Sequence, residues 1–250
     1  MTDHILVEDE GALRIIRINR PEKKNALTLA MYGQMTEALL DADRNTAIRC
    51  IVIAGASGAF TAGNDIGDFA KAATGGMAWN RAALSFLDAL ARCPKPIVAA
   101  VGGVAVGIGT TMLFHCDHVV VANEATLSTP FLRLGLLPEA ASTLLAPARM
   151  GYARAFSLLV MGRPLSAAEA KDGGLVNTIV AASEVDRVAM SAAREIAALP
   201  PRALAVTREL MRGNIDEVTE RIEAEGSHFS ELLQSEEART AFAAFFARKK

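Results

Sequence analysis

An α/β fold with a helical C-terminal third is predicted from three features of the 250-residue sequence. Short runs rich in β-branched residues alternate with amphipathic helical patterns over most of the chain. Several of those runs are apolar throughout, as strands covered on both faces are. From Glu184 onward nearly everything reads as helix, broken at Pro200-Pro201 and Gly213.

The elements follow in order. Ile5–Val7 and Leu13–Ile18 read as strands joined through a Glu-Asp-Glu-Gly turn, and Pro21 ends strand continuation in the polar loop Asn19–Asn25. Thr28 is placed to cap a helix running to about Asp43, with Met31, Met35, Ala38 and Leu39 on one face. Ile48–Ala54 reads as a buried strand, Gly55–Asp68 as a Gly/Ala/Ser loop and Ala78–Arg92 as a helix. Pro96–Val101, Asp117–Ala122, Ala125–Ser128 and Leu175–Val180 read as further strands. Helical patterns cover Gly107–Cys116, Glu139–Arg149, Tyr152–Met161 and Ser166–Asp172.

Composition narrows the function classes. Lys and Arg total 26 against 28 Asp and Glu, a net charge of −2, whereas a duplex-binding module carries a basic excess. Nucleic acid is therefore not an expected partner. Ile97–Phe114 carries no formal charge and approaches the length of a membrane span, but Gly102, Gly103, Gly107 and Gly109 punctuate it. A buried strand, turn and helix is the expected outcome, with no membrane. The acidic start lacks a signal-peptide pattern, and Cys50, Cys93 and Cys116 are scattered without a CxxC pair. Both point to a reducing, cytoplasmic setting.

Two glycine-rich loops stand out, Phe60-Thr61-Ala62-Gly63-Asn64-Asp65-Ile66 after a strand and Gly103–Ile108 before a helix. Glycine lets backbone approach a ligand closely, and N–H groups at a helix start lack partners. Two such groups aimed at one point make an oxyanion hole. Two tight turns, with Asp65 as a helix cap, explain the same residues. Gly107-Ile108-Gly109 is an incomplete dinucleotide fingerprint, and there is no phosphate-cradling GxxxxGK[ST]. His115-Cys116-Asp117-His118 gathers four potential metal ligands, but the expected change from helix to strand splays them, so no metal site is assigned.

The ordered segments FTAGNDI, KPIVAAVGGVAVGIG, HCDHVVVA, ATLSTPFLRLGLLPE and GRPLSAAEAKDGGLVN resemble the crotonase, or enoyl-CoA hydratase/isomerase, superfamily. The resemblance implies a ββα spiral core, residues 1–199, and a helical oligomerisation region, residues 200–250. It implies a homotrimer or a dimer of trimers. It also implies an acyl-CoA thioester substrate, with no cofactor besides the coenzyme A of the substrate itself. The backbone N–H groups of Asn64 and Ile108 take the places of the oxyanion donors. Lys24, Ala26, Leu27, Ala62, Asp65 and Ile66 match the wall that receives coenzyme A, and Gly63, Gly107, Thr111 and Phe131 complete the substrate-facing set.

The side chains that move protons distinguish members of such a family. Thr111 and Phe131 occupy the two places where hydratases of the superfamily carry glutamates. A threonine hydroxyl is no base near neutral pH, and phenylalanine moves no proton. Glu139, in Leu136-Leu137-Pro138-Glu139, remains, either as an exposed residue in the first turn of a helix or as a buried base. The TPFxxLGLxPE segment resembles the Δ3,Δ2-enoyl-CoA isomerases, in which a glutamate at this place carries a proton from C2 to C4. Hydration, thioester hydrolysis and a non-catalytic acyl-CoA-binding role are the alternatives. Asp68 and His228 read as loop and surface residues, and Arg133 as a salt-bridge partner. The apolar residues Ile222, Phe229, Leu232, Leu233, Phe242, Phe245 and Phe246 are expected to pack on the core or on a neighbouring subunit.

Overall fold

The computed structural model describes residues 4–65, 67 and 77–247, and its strands form two sheets. The larger sheet has the order β1 (Ile5–Glu10), β2 (Leu13–Ile18), β3 (Cys50–Gly55), β5 (Ile97–Val101), β7 (His118–Ala122) and β10 (Thr178–Val180). β1 and β2 form an antiparallel hairpin, and every other neighbouring pair is parallel. The smaller sheet is β4 (Ala59–Thr61), β6 (Val104–Val106), β8 (Thr126–Ser128) and β9 (Leu165–Ser166). Each pass of the chain lays one strand in each sheet, β3 then β4, β5 then β6, β7 then β8. That is the ββα spiral the sequence implies.

The α-helices bounded by described residues are α1 (Leu29–Arg44), α2 (Met77–Arg92), α3 (Ile108–Thr111), α4 (Ser142–Met150), α5 (Tyr152–Leu159), α6 (Ala167–Asp172), α7 (Val185–Ala198), α8 (Pro201–Arg212), α9 (Ile215–Leu233) and α10 (Glu236–Ala247). Thr28 caps α1 by accepting from the Met31 N–H, a contact worth about 1 kcal/mol. The buried face of α1 carries Met31, Tyr32, Met35, Ala38, Leu39 and Ala42. Tyr32 meets Phe86 of α2 with ring centroids 5.6 Å apart, which fastens these helices beside the pocket described below. α7 packs across β3, β5 and β7. The apolar runs of β3 and β5 are thus buried, as parallel strands require.

Three expectations need correction. Gly55–Asp68 is not wholly loop, because Ala59–Thr61 pairs with the segment after Gly103 as strands of the second sheet. The helix expected over Gly107–Cys116 is a single α-turn followed by a 3-10 turn, Met112–His115. Its end is closed by the Cys116 N–H on Leu113 O, which turns the chain into β7. The helix expected from Glu139 starts at Ser142, because Ala140 and Ala141 both adopt left-handed backbone, with φ of 66° and 51°. Glu139 thus stands before the helix, in chain without regular secondary structure.

The segment Ile97–Phe114 folds as a strand, a short strand and helical turns, and no helix among the described residues is long and apolar enough to cross a membrane. In the C-terminal region Ile222, Phe229, Leu233 and Phe242 are buried within this chain. Phe245 and Phe246 lie outside the described side chains. Exposed large apolar residues include Leu199 before α8 and Val206, Leu210 and Met211 on it, as well as Tyr152 and Phe156 on α5.

Candidate active site

The two glycine loops meet because each presses backbone against the other where no side chain fits. Gly63 has φ of 85°, and a Cβ there would lie 2.8 Å from the Val106 carbonyl oxygen. A Cβ on Gly109 would lie 2.6 Å from Thr61 Cγ2. This contact brings Asn64 and Ile108 to one pocket, of about 330 Å³ counting its open mouth. Neither backbone N–H makes a hydrogen bond among the described residues.

The loop before α1 is stitched onto the first glycine loop. Leu27 N–H donates to Gly63 O at 2.8 Å, Asp65 N–H to Leu27 O at 2.8 Å and Ala62 N–H to Lys24 O at 2.9 Å. Lys24, Ala26, Leu27, Ala62, Gly63 and Asp65 are therefore gathered as the sequence implied. Leu27 differs in one respect: the whole residue is buried, so it supports this surface from beneath through its backbone hydrogen bonds. Asp65 is held at 2.7 Å by Arg20, a partner that sequence reasoning missed, and it also accepts from the Gly67 N–H at 2.9 Å. Ile66 and Asp68 lie outside the described residues.

Glu139 lines the same pocket as Asn64 and Ile108, and only 7% of it is exposed. The exposed first-turn position is therefore overturned. Thr111 donates its hydroxyl to Glu139 Oε1 at 2.7 Å, and Oε2 is buried with no hydrogen-bond partner. Burial pushes the Glu139 carboxyl up to about 8, against the pull of the Thr111 hydrogen bond and with help from the charge of Glu225. The left-handed turn behind it is braced by His115, whose ring Nε2 lies 2.8 Å from Ala140 O. Burial lowers His115 to about 4, so the neutral ring donates this bond.

Other residues of His115–His118 serve separate contacts. Cys116 reaches Met112 O, and Asp117 binds the Ile97 N–H and Arg208. Arg133 makes no ion pair among the described residues, contrary to expectation. His228 stands exposed beside Glu231, as expected.

The rest of the pocket wall is Tyr32, Ala83, Leu84, Leu87, Gly226 and Phe229. Tyr32 donates its hydroxyl to Asn64 Oδ1, so α1 holds the first glycine loop from behind. Phe131 lies not here but in an adjoining cavity with Ala62, Gly63, Asn64, Gly107 and Phe242. Asn64 borders both cavities, so a carbonyl at its N–H sits where they meet. The wall from α2 and α9 is apolar, and Glu139 is the one carboxylate among the described lining residues of the pocket. Such a site can hold developing negative charge on an oxygen and move a proton nearby.

The family described as enoyl-CoA hydratase/isomerase matches residues 8–250. Enoyl-CoA delta isomerase 2 of Rattus norvegicus is 37% identical over 98% of this chain, and the chain spans only 64% of that relative's length. A probable enoyl-CoA hydratase of Rhizobium meliloti is 31% identical, covering 98% of this chain and 96% of its own. A solved enoyl-CoA hydratase/isomerase structure from Pseudoalteromonas atlantica T6c superposes with a TM-score of 0.92 at 36% identity, covering 98% of each chain.

Proposed function

The chain belongs to the enoyl-CoA hydratase/isomerase family, and within it we propose a Δ3,Δ2-enoyl-CoA isomerase in which Glu139 carries the proton. One observation supports this reading above the others. Among the described residues, Glu139 is the single carboxylate lining the pocket that also holds Asn64 and Ile108, and its Oε2 has no hydrogen-bond partner there. A hydratase mechanism built on two glutamates finds Thr111 and Phe131 in their places, and Thr111 is already committed to Glu139.

The thioester carbonyl oxygen sits between the N–H groups of Asn64 and Ile108. Ionised Glu139 removes a proton from C2 of a 3-enoyl thioester, and the electron pair spreads over a dienolate whose oxygen the two donors stabilise. The same carboxylic acid then returns the proton at C4, leaving the 2-enoyl thioester. Atoms and charge balance without any further reactant. A donor of this kind contributes on the order of a hundredfold to a thousandfold in rate. A carboxyl raised toward the working pH is a stronger base than an ordinary one once ionised. Lys24, Ala26, Ala62, Gly63, Asp65 and Gly107, braced from beneath by Leu27, receive the coenzyme A portion, and Phe131 borders the adjoining cavity. Ile66 belongs to the same proposed set.

The test is an assay of purified protein on matched 3-enoyl-CoA and 2-enoyl-CoA thioesters, following double-bond position and water addition separately. Isomerisation of the first with little hydration of the second is expected. Hydration as the dominant activity overturns the isomerase assignment and leaves the family intact. Binding of both thioesters with no turnover assigns a non-catalytic role instead.

A further inference from the structure

A second buried carboxylate lies behind the site, on the long helix α9. Glu225 of α9 is 3% exposed and adjoins Gly226, which lines the pocket with Glu139. Its Oε1 accepts from both the N–H and the hydroxyl of Thr143, at 3.0 and 2.6 Å. Thr143 stands in the first turn of α4, two residues after Ala141 of the left-handed pair Ala140-Ala141 that follows Glu139. Arg221, one turn earlier on α9, also donates to the Thr143 hydroxyl, at 3.1 Å.

We propose that Glu225 is a positioning residue for Glu139: from α9 it clamps the start of α4, and so fixes the turn that aims Glu139 into the pocket. The proposal rests on Glu139 being the base assigned above. Two left-handed alanines in succession are costly backbone and persist only where their surroundings hold both ends. His115 holds Ala140 on one side, and Glu225 holds Thr143 on the other. Without the second anchor the turn can relax and carry Glu139 away from C2.

The same carboxyl has an electrostatic effect. Glu139 is faced by the Thr111 hydroxyl of α3, the Tyr32 phenol of α1 and Glu225 of α9, with neutral His115 behind its turn. Glu225 in turn is faced by Thr143 and Arg221. Its charge opposes ionisation of Glu139, so removing that charge without removing the acceptor oxygen should let Glu139 ionise at lower pH. A merely structural anchor has no such signature.

Two variants separate these effects. Glu225→Gln keeps an oxygen for Thr143, and the acid limb of kcat/KM should move about one pH unit lower, with the plateau kcat within about threefold of wild type. Glu225→Ala removes the anchor, and kcat should fall about tenfold or more while KM changes less than about threefold. The carboxyl carbon resonance of Glu139, identified by its loss from ¹³C-glutamate-labelled Glu139→Gln, follows its ionisation without reference to turnover. Its midpoint should fall in Glu225→Gln. An unchanged midpoint and pH profile in Glu225→Gln overturns the proposal, even if Glu225→Ala fails to fold. Wild-type turnover in Glu139→Gln instead removes the base assignment, and the resonance still reports whether Glu225 governs Glu139.

Discussion

The Thr111 hydroxyl donates to Oε1 of Glu139 at 2.7 Å, while Oε2 of the same carboxyl has no hydrogen-bond partner among the described residues. One oxygen is oriented and the other is left for a substrate proton. Thr111 is thus a holder of the base, although the sequence marks it only as a place where a glutamate is missing.

Replacing Thr111 with valine keeps the shape and removes that hydrogen bond, the one influence pulling the Glu139 pKa down from the protein side. A hydrogen bond to a charged group is worth roughly 1.5–3 kcal/mol, or about one to two pH units. The acid limb of kcat/KM should therefore move up by that amount, and activity at neutral pH should drop about tenfold or more. A pH–rate profile of Thr111→Val checks this, and an unmoved limb contradicts it.

The elevated carboxyl also makes stability depend on pH. The folded state holds the Glu139 proton up to about 8, whereas the unfolded chain releases it near 4.5. Stability from this group is fully present below the unfolded value and is lost as pH rises through the folded one. Glu139→Gln removes the dependence. The variant should gain roughly 3–5 kcal/mol relative to wild type above about pH 8, and nothing below about pH 4.5. Denaturant titrations at several pH values measure the difference.

The oxyanion arrangement is tested through backbone rather than side chains. Gly63→Ala places a Cβ against Val106 O and forces an L-residue into left-handed backbone. It should cost about 1–3 kcal/mol of stability and displace the Asn64 N–H. Ile108→Pro removes the other donor at the first position of α3, where proline is tolerated in a helix. Turnover should fall about a hundredfold to a thousandfold. Full activity in a folded Ile108→Pro protein means that the carbonyl oxygen binds elsewhere.

Leu210 and Met211 are 78% and 82% exposed on α8, with Val206 exposed on the same helix. An apolar face of this kind suits a second copy of the chain, in line with the trimer or dimer of trimers expected from the sequence. Sedimentation at micromolar concentration should give an assembly, and Leu210→Asp with Met211→Asp should lighten it. A wild-type monomer contradicts the expectation.

The larger sheet was legible because its strands carry their own signals. The continuous apolar runs at Ile48–Ala54 and Pro96–Val101 fit strands buried on both faces, and Thr28 marks the start of α1. Of the smaller sheet only Ala125–Ser128 was legible, because three-residue strands such as Ala59–Thr61 are too short to show a period. The delay of α4 to Ser142 was equally hidden, since alanines at 140 and 141 give no sign of left-handed backbone. At the site, motif order pointed to Asn64, Ile108 and Glu139. Tyr32, Arg20 and Glu225 reach the site only through tertiary contacts, and nothing local in the sequence distinguishes them from ordinary core or surface residues.

The most direct test of Glu139 as the proton carrier is turnover and ligand affinity of wild type and Glu139→Gln on one 3-enoyl-CoA thioester. Glutamine keeps the size and accepts the Thr111 hydrogen bond, but it cannot take a proton from carbon. Isomerisation should fall by about two to four orders of magnitude, the usual contribution of a positioned acid or base. Thioester affinity should remain within about threefold, because the glycine loops that hold the carbonyl are untouched. Undiminished turnover in a folded Glu139→Gln protein contradicts the assignment.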